Sequence, residues 1–325
     1  MIKCSGCGVE LQDKNKDLLG YTTDIKTGLC MRCFRLFNYG EYKAVSMGNS
    51  DYLKILKQIP KDNLVVYVVD ILSFNLDLLK NFNNVLLVVT KGDIIPRNVK
   101  IDRLVERIKR ECSAILDVVV VSSIRNNNMD TLYRKIVDYS RNASVYLVGN
   151  TNTGKSTLLN KLIKNYSNSS DKVTVSMYPS TTLGEVSVDL GDVTIIDTPG
   201  IIDDGSIINY VDKFGLKKIL PKKEIRPRSV QISNSGSMII DEYVRIDYDT
   251  SCNNSIVIYC SPSLKVGFNQ LNNDKLKDLD KVFLNIDKKC DIVIPGLGFI
   301  KCMRPIMVTV YVISGTLVYV RDNLI

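Results

Sequence analysis

A glycine-rich run in the middle of the chain has the residue types needed to hold a phosphate group. Residues 145–157 read VYLVGNTNTGKST, where an apolar stretch leads into the pattern Gly149-x-x-x-x-Gly154-Lys155-Ser156. Glycines let successive backbone N–H groups turn toward an anion, and the N-terminus of a following helix favours negative charge. In such loops the lysine reaches the β- and γ-phosphates, and the serine hydroxyl binds Mg²⁺. The residues expected to hold the phosphates are Gly149, Asn150, Asn152, Thr153, Gly154, Lys155, Ser156 and Thr157.

A second run, Asp197-Thr198-Pro199-Gly200, follows the short apolar stretch Val193–Ile196. An aspartate at the end of such a strand can hold Mg²⁺ through water, and the glycine N–H can meet a γ-phosphate. Between this run and the phosphate loop lies Pro179-Ser180-Thr181-Thr182-Leu183, whose Thr182 is expected to close onto the metal. Mg²⁺ would then be held by Ser156, Thr182 and Asp197. The residues predicted to act in cleavage of the triphosphate are Asn152, Lys155, Thr182, Asp197 and Gly200.

Two apolar strands upstream of the phosphate loop predict which base is bound. Val85–Val89 runs into Thr90-Lys91-Gly92-Asp93, where a carboxylate can accept from both N1–H and the exocyclic amine of guanine. Adenine lacks that donor pair, so binding it would leave the carboxylate unpaired. Val118–Val121 runs into Ser122-Ser123, where a backbone N–H would meet guanine O6. The ligands are therefore predicted to be GTP and GDP, with base contacts from Thr90, Lys91, Asp93, Ser122 and Ser123.

The order of these motifs along the chain is rotated. They resemble the motifs of the translation-factor class of small GTPases, in which the phosphate loop comes first and the base-reading motifs last. Here Asp93 and Ser122-Ser123 come before the phosphate loop, and Asp197 comes after it. This order resembles the circularly permuted GTPases, whose sheet is the same although the chain is opened elsewhere. The joint is expected at residues 140–144, between a helix at Met129–Tyr139 and a strand at Val145–Val148.

Four of the nine cysteines form two pairs near the N-terminus, Cys4-x-x-Cys7 and Cys30-x-x-Cys33, separated by 22 residues. A two-residue gap lets a tight knuckle aim both sulfurs at one tetrahedral ion, and four thiolates fill the coordination sphere of a structural Zn²⁺. Two redox pairs or two disulfides are the alternative interpretations. The five other cysteines lie in apolar contexts and are expected to be small core residues.

Within the permuted GTPases, the chain resembles the YqeH family of bacterial ribosome-assembly GTPases, which carry a four-cysteine module and have relatives in mitochondria and plastids. The resemblance runs along essentially the whole chain. Its marks are the stretches Cys30-Met-Arg-Cys33-Phe-Arg-Leu, Val69-Asp70-Ile71, Leu220–Pro227 and Asp291–Gly298. It implies a role in maturation of the small (30S) ribosomal subunit through contact with its RNA, and a bacterial cytoplasmic or organellar location. Thr90 departs from the usual asparagine, which is expected to lower guanine affinity, and Ser122-Ser123 replaces the more usual Ser-Ala.

Ile201 bears on how hydrolysis proceeds. Many GTPases place a glutamine after Asp-x-x-Gly to orient the attacking water, but Ile201 cannot form that hydrogen bond. Related GTPases with an apolar residue there often use K⁺ held partly by an asparagine in the phosphate loop, a position that Asn152 matches here. The hypothesis is that K⁺ at Asn152 supplies the missing positive charge. The alternative is that Asn152 caps a loop turn.

Most of the net charge of +8 lies in one segment, Lys213–Arg228, which reads KFGLKKILPKKEIRPR and carries seven basic residues and one acidic residue. Pro221 and Pro227 favour a loop-like course. The segment is either a solvated linker or an RNA phosphate contact, and its place shortly after the nucleotide switch favours RNA. A nucleotide-dependent change after Gly200 would reach the next domain through about a dozen residues.

The composition excludes other chemistry: with no histidine, a Ser-His-Asp triad, a Cys-His nucleophile or a His-ligated zinc is impossible. The first residues, MIKCSGCGVE, contain no apolar core segment, so no secretory signal is expected there, and Ile306–Val320 is expected to form two strands and a turn rather than a membrane span. Short alternating stretches after Arg228 predict a mostly-β domain with a helix near Leu271–Phe283. The strands are expected at Val230–Ile232, Met238–Ile240, Val244–Tyr248, Ser255–Tyr259, Ile292–Ile294, Ile306–Ile313 and Leu317–Arg321.

The predicted organisation is an α/β chain in four parts. A zinc-binding module (1–45) precedes a permuted P-loop GTPase domain (46–212) with a mostly parallel sheet and helices on both faces; a basic linker (213–228) leads to a mostly-β RNA- or partner-binding domain (229–325). The predicted partners are the small ribosomal subunit and its RNA, without membrane or DNA, for a monomer with slow intrinsic hydrolysis. An RNA-binding scaffold with a poorly hydrolysing site is the alternative; a metabolic P-loop kinase is opposed by Asp93 and Asp197.

Overall fold

A computed structural model describes residues 2–16, 18–39, 46–47, 49–112, 114–167, 186–250, 253–269 and 279–325 of the protein. The chain divides into two compact units. The first comprises Met1–Asp70, Asn75–Gly92 and Ile108–Ile202, and the second comprises Ile71–Phe74, Asp93–Arg107 and Asp203–Ile325. Both units therefore draw on separate stretches of the sequence. One dividing line passes between Gly92 and Asp93, within the predicted base-reading motif.

The N-terminal two thirds of the chain contains five helices of the six α-helices in the described residues and the first eight strands. In chain order these are α1 (Met31–Tyr39), β1 (Ser46–Met47), α2 (Asn49–Gln58), β2 (Val65–Asp70), β3 (Val85–Thr90), α3 (Ile101–Glu111), β4 (Asp117–Val120), α4 (Met129–Ser140), β5 (Val145–Gly149), α5 (Lys155–Tyr166), β6 (Val186–Asp189), β7 (Thr194–Asp197) and β8 (Gly200–Ile201). Six strands form one sheet in the order β4-β3-β2-β5-β7-β6. All neighbours are parallel except β6 and β7. The predicted mostly parallel α/β domain is confirmed.

The apolar runs predicted as strands form the middle of this sheet. Every residue of β2 and β3 is buried, as continuous Val- and Leu-rich strands of a parallel sheet covered on both faces should be. Helix α5 presents Leu158, Leu159 and Leu162 to the same core, one or two per turn. The carboxyl ends of the parallel strands meet at one edge of the sheet, where ligands bind in open α/β sheets. This edge carries the sequence motifs described above.

A buried aspartate forms ion pairs with two partly exposed lysines at the start of β4, which is an outer strand of the sheet. Asp117 Oδ1 lies 2.6 Å from Lys109 Nζ, and its Oδ2 lies 2.5 Å from Lys135 Nζ. Burial alone would raise the pKa of Asp117, but hydrogen bonds from both lysines and from the Val118 N–H lower that pKa to about 2. The carboxylate is therefore held in its charged form in the folded protein.

We expect Asp117→Asn to lower the free energy of unfolding at pH 7 by about 1–2 kcal/mol, a figure reduced for solvent screening of the lysines. The folded pKa is depressed below the value of about 3.9 found in unfolded chains. The stabilisation is therefore present above about pH 4 and is lost as the pH falls from about 4 toward 2. Urea unfolding of the wild type and of Asp117→Asn across this pH range measures the difference in unfolding free energy. Asp62→Asn, at an exposed aspartate, is the control. An equal loss of stability in both variants would contradict the prediction.

Among the described residues, the second unit contains residues 101–107 of α3, helix α6 (Lys213–Ile219) and the last ten strands. In chain order these are β9 (Arg228–Ile232), β10 (Gly236–Ile240), β11 (Val244–Asp249), β12 (Asn254–Cys260), β13 (Val266–Asn269), β14 (Asp280–Ile286), β15 (Cys290–Ile294), β16 (Gly298–Cys302), β17 (Ile306–Val312) and β18 (Tyr319–Asp322). They form two antiparallel five-stranded sheets, β13-β10-β11-β17-β14 and β18-β15-β16-β12-β9. One apolar core contains residues from both sheets. The predicted mostly-β C-terminal region is confirmed.

Residue alternation explains which strands the sequence predicted. In β17 the buried positions are Ile306, Val308, Val310 and Val312, a period of two that is typical of a strand with one buried face. Strands β13, β14 and β16 were not predicted. The helix predicted at Leu271–Phe283 is wrong at its end, because Phe283 lies in β14 and pairs with Thr309 of β17. The rest of that predicted helix lies mostly outside the described residues.

The basic segment is also more ordered than predicted. The loop-like course inferred from its prolines is wrong for its first half, which forms α6. Asp212 caps this helix, and its carboxylate accepts a hydrogen bond of 2.7 Å from the Gly215 N–H. Pro221 and Pro227 both follow the helix, where a proline cannot interrupt its hydrogen bonds.

Two further expectations concern the apolar C-terminal stretch and the cysteines. Ile306–Val320 forms β17 and the start of β18, as predicted. Among the described residues, no helix is both long and apolar enough to cross a lipid bilayer. Cys260, Cys290 and Cys302 are buried core residues, as predicted, whereas Cys112 is half-buried. Cys252 lies outside the described residues.

Candidate nucleotide site and four-cysteine site

The phosphate loop connects β5 to α5 and has the backbone that its sequence requires. A Cβ at Gly149 would lie 2.5 Å from the Val68 carbonyl oxygen, so a side chain cannot fit there. Gly154 has a φ of 93°, a conformation that residues with a Cβ rarely adopt. Helix α5 then begins at Lys155, with Ser156 and Thr157 in its first turn. The loop therefore presents the N-terminus of a helix of twelve residues to the edge of the sheet.

Hydrogen bonds hold the phosphate loop, one of them within the loop and one to β8. Thr153 Oγ1 donates to the Asn150 carbonyl at 2.8 Å, and the Thr151 N–H donates to the Ile201 carbonyl at 2.8 Å. Asn152 is exposed and has a left-handed backbone with φ 63°. Asn152 is thus at the surface of the loop, and the K⁺ hypothesis stays a prediction.

Lys155 and Asp197 meet in the interior of the first unit. Lys155 Nζ lies 3.7 Å from Asp197 Oδ1 and donates to the Thr198 carbonyl, and the two side chains are 4% and 0% exposed. Burial lowers the pKa of Lys155, and the charge of Asp197 opposes that shift. The sequence separates these two residues by 42 positions, and the parallel pairing of β5 with β7 brings them together. In P-loop proteins a lysine ammonium binds the phosphate oxygens, while a serine hydroxyl and an aspartate hold Mg²⁺. Lys155, Ser156 and Asp197 supply these three groups.

Gly200 and Ile201 lie directly beside the phosphate loop. They form β8, which pairs in parallel with β1, and Ile201 also forms a bridge with Asn150. A Cβ at Gly200 would lie 3.1 Å from Thr151 Cγ2, so the contact is close. The predicted γ-phosphate sensor is thus next to the loop that would hold the phosphate. Thr182 and the surrounding 179–183 stretch lie outside the described residues.

Thr90 has a role that sequence reasoning missed. Its buried hydroxyl donates to the carbonyl of Thr153 in the phosphate loop and lies 3.1 Å from the carbonyl of Val69. The sequence indicated that Thr90, in place of asparagine, would remove a brace from the site. In the structure the hydroxyl supplies a hydrogen bond between the base-reading strand and the phosphate loop.

We expect Thr90→Val, which keeps the side-chain shape but removes this donor, to weaken binding of both GTP and ATP by about five- to tenfold. The buried Thr153 carbonyl would lose a donor, and the loop would lose its register against β3. The ratio of GTP to ATP affinity should not change, because the guanine contact is predicted at Asp93. Equilibrium titration with fluorescent nucleotides measures both constants. Thr309→Val, on the C-terminal sheet, is the matched control, and an altered GTP-to-ATP ratio in Thr90→Val would contradict the interpretation.

Other base-reading residues are held by short-range contacts at the same strand ends. Lys91 Nζ lies 3.1 Å from Asp70 Oδ2, which accounts for Asp70 in the Val69-Asp70-Ile71 mark. The Gly92 N–H donates to the Val121 carbonyl at 2.8 Å, so the two base-reading strands are joined just before Ser122. Ser122 and Ser123 are both buried. Asp93 follows Gly92 in a short 3₁₀ helix, Gly92–Ile94, and is half-buried.

The four N-terminal cysteines come together as predicted. The sulfurs of Cys4, Cys7, Cys30 and Cys33 all lie within 4.8 Å of one another, and Cys7 Sγ is 3.7 Å from Cys30 Sγ. All four are free thiols, so the structure does not contain the alternative disulfides. A Cβ at Gly6 would lie 2.6 Å from Cys33 Sγ, which explains a glycine in the first knuckle. This geometry is compatible with Zn²⁺.

Hydrogen bonds couple the four thiols of this cluster and shift their pKa values in opposite directions. The N–H groups of Gly6 and Cys30 donate to Cys4 Sγ at 3.4 and 3.2 Å. Hydrogen bonding, chiefly with Cys30, lowers the pKa of Cys4 and lowers that of Cys7 to about 6. The same coupling raises the pKa of Cys33, chiefly through Cys30, and raises that of Cys30, where the opposing bond with Cys33 is outweighed by hydrogen bonds with Cys4 and Cys7. Deprotonated sulfur is the form that binds zinc.

Arg32 and Tyr52 are two buried polar residues that sequence reasoning did not assign to the site. Arg32 lies between the second pair of cysteines, and its charge contributes to the lowered pKa of Lys155 after the larger effect of burial. Burial raises the pKa of Tyr52 to about 12, and the charge of Asp197 adds to that shift. The position of Arg32 between Cys30 and Cys33 could have indicated a place near the site. Tyr52, in α2, belongs to no motif from which its place could have been predicted.

Motif order, sheet order and site geometry together define a circularly permuted P-loop GTPase. Residues 144–234 match the family described as "50S ribosome-binding GTPase". The chain is 35% identical over 363 aligned positions to the protein named "Uncharacterized protein YqeH" of Bacillus subtilis, and the alignment covers 100% of this chain and 99% of that protein. The chain therefore belongs to the YqeH family.

More distant relatives are longer proteins. The "NO-associated protein 1, chloroplastic/mitochondrial" of Arabidopsis thaliana is 26% identical over 71% of this chain and 49% of its own length. The human "Nitric oxide-associated protein 1" is 25% identical over 56% of this chain and 35% of its own length. The resemblance inferred from the motifs is confirmed at the level of the family.

Proposed function

We propose that the protein is a GTP-binding and GTP-hydrolysing switch that assists assembly of the small ribosomal subunit through contact with its RNA. The observation that carries the GTPase part is the buried meeting of Lys155 and Asp197 beside Gly200. In this proposal the lysine holds the β- and γ-phosphates, and Asp93 reads guanine. Ser156, Thr182 and Asp197 would hold Mg²⁺ at the phosphates, and the four cysteines would hold Zn²⁺.

The expected hydrolysis mechanism places charge rather than a base at the reacting phosphate. Ile201 cannot orient water, and its carbonyl is engaged by the Thr151 N–H. K⁺ at the exposed Asn152 would stabilise the charge that develops in the transition state. Phosphate release measured in K⁺ and in Na⁺ tests this role. Equal rates in the two salts would remove K⁺ from the proposal, and no turnover in either salt, with or without ribosomal subunits, would favour the non-hydrolysing scaffold.

RNA binding is assigned to the basic segment 213–228, within the proposed division into 1–45, 46–212, 213–228 and 229–325. Its lysines and arginines are mostly exposed, and Phe214 on α6 is 71% exposed. Exposed cations at this density attract nucleic acid phosphates without regard to sequence, and an exposed aromatic ring can stack on a base. The segment begins about a dozen residues after Gly200, the predicted γ-phosphate sensor.

Co-sedimentation with isolated 30S and 50S subunits, in GDP and in a non-hydrolysable GTP analogue, tests the partner. We expect the protein to bind 30S subunits to a different extent in the two nucleotides. The proposal also takes the protein to act as a monomer in the bacterial cytoplasm. Binding to 50S alone would show that the large subunit is the partner in place of the small one. This outcome is of interest because the matched family description names 50S. Lys222→Gln/Lys223→Gln should weaken binding, whereas Lys57→Gln/Lys61→Gln removes the same charge elsewhere and serves as the control.

A further inference from the structure

In the second unit, the residues that follow Asp93 are held by the C-terminal half of the basic segment. The Ile225 N–H donates to the Ile94 carbonyl at 2.8 Å, one residue after Asp93. Ile94 and Ile225 are both buried, with 2% of each exposed. The base-reading carboxylate is therefore followed at once by backbone that the basic segment pins in place.

Glu224 strengthens this attachment. It is the only acidic residue in the basic segment, and its carboxylate contacts Arg97 twice. Oε1 accepts from the Arg97 N–H at 2.9 Å, and Oε2 lies 3.0 Å from Arg97 Nε. The carboxylate thus fixes both the backbone and the side chain of a residue four positions after Asp93, through charge-assisted bonds.

The other end of the same stretch is also anchored in the second unit. Arg107 Nη1 donates to the Asn323 carbonyl at 2.7 Å. The fully buried Asp291 in turn accepts from Asn323 Nδ2 at 2.7 Å and from the Leu324 N–H at 3.0 Å. The stretch from Asp93 to Arg107 is therefore tied at both ends to elements of the C-terminal part of the chain.

The Glu224 contact is open to competition from phosphate. The Arg97 side chain is 87% exposed, and the neighbouring Lys222, Lys223 and Arg226 are exposed as well. A nucleic acid phosphate drawn in by those cations can bind the Arg97 guanidinium, for which phosphate is a good bidentate partner. It would also repel the Glu224 carboxylate.

We propose that Glu224 is a positioning residue for residues 94–97, which follow the guanine-reading Asp93. RNA bound to the basic segment displaces Glu224 from Arg97 and thereby speeds release of the guanine nucleotide. This inference rests on the proposed function, because it takes Asp93 as the guanine contact and the basic segment as the RNA contact. Where the faster release lowers the equilibrium affinity for guanine nucleotide, linkage requires that bound nucleotide weaken RNA binding by the same factor. Glu224 and Arg97 are distant in sequence but are hydrogen-bonded to each other within the second unit.

Glu224→Gln in the full chain tests the inference. We expect the dissociation rate of fluorescently labelled GDP, chased with unlabelled GDP, to rise by about fivefold, since a partly exposed charge-assisted contact is lost. A single-stranded RNA oligonucleotide should speed GDP release from the wild type and have little further effect on the variant. Asp287→Asn is the control, because it removes one negative charge from an exposed side chain of the same unit outside the basic segment. The midpoint of thermal unfolding should stay at the wild-type value in both variants.

The outcomes separate the inference from the proposed function. If the wild type prefers GDP to ADP and binds the RNA, but Glu224→Gln releases GDP at the wild-type rate, the inference is overturned and the proposed function stands. If RNA slows GDP release from the wild type, the direction of the coupling is wrong and the inference is again overturned. If the wild type does not distinguish GDP from ADP, the proposed function fails and the inference falls with it.

Discussion

Replacing Lys155 with methionine should lower the rate of GTP hydrolysis by at least about a hundredfold and weaken GTP binding. The ammonium is buried beside Asp197 and at the N-terminus of α5, so solvent cannot replace it. Methionine keeps much of the side-chain volume but carries no charge. Phosphate release at saturating GTP and fluorescent nucleotide titration measure the two effects. Lys164→Met, at an exposed position of the same helix, is the control and should retain wild-type activity.

The same substitution should also destabilise the fold, which provides an internal check. Removing the ammonium next to the buried Asp197 is expected to cost about 3 kcal/mol of unfolding free energy. The double variant Lys155→Met/Asp197→Asn should recover part of that stability and none of the activity. Recovered hydrolysis in the double variant, or normal hydrolysis in the single one, would show that the phosphate site lies elsewhere.

Replacing Cys33 with alanine should abolish stoichiometric zinc binding and unfold the N-terminal module. The side chain is fully buried, and its sulfur belongs to the one cluster among the described residues with the spacing of a metal site. A structural Zn²⁺ is expected to contribute about 10 kcal/mol or more to folding of such a module. Metal content by mass spectrometry should fall from one equivalent to none. Cys112→Ala, outside the cluster, should keep its zinc.

The second readout for Cys33→Ala is the packing of the module against the parallel sheet within the first unit. Cys7 and Leu36 pack against the core of the parallel sheet, so loss of the metal should lower the thermal midpoint of that unit as well. Chelation of the wild type should produce the same shift, and added Zn²⁺ should reverse it. Full zinc occupancy in Cys33→Ala would contradict the assigned site.

The sequence by itself determined the parts of this protein whose chemistry is local. Phosphate-loop glycines, the Cys-x-x-Cys knuckles and the buried strands are set by spacing over a few residues, because backbone geometry and ligand geometry act over that range. The permuted order could be inferred for the same reason, since each motif is recognisable on its own. Family membership followed from those motifs together.

Tertiary structure decided the contacts between residues far apart in the chain. That the Thr90 hydroxyl reaches the phosphate loop depends on the packing of β3 against its neighbours, which no local pattern encodes. The same holds for Glu224 and Arg97, separated by 127 positions. Strand β14 was missed because the exposed Phe283 interrupts the alternation of polar and apolar residues that predicts a strand. The sequence indicated a GTPase with a basic segment attached. Only the fold showed that this segment holds the backbone next to Asp93, because hydrogen bonds between distant residues form only once the chain has packed.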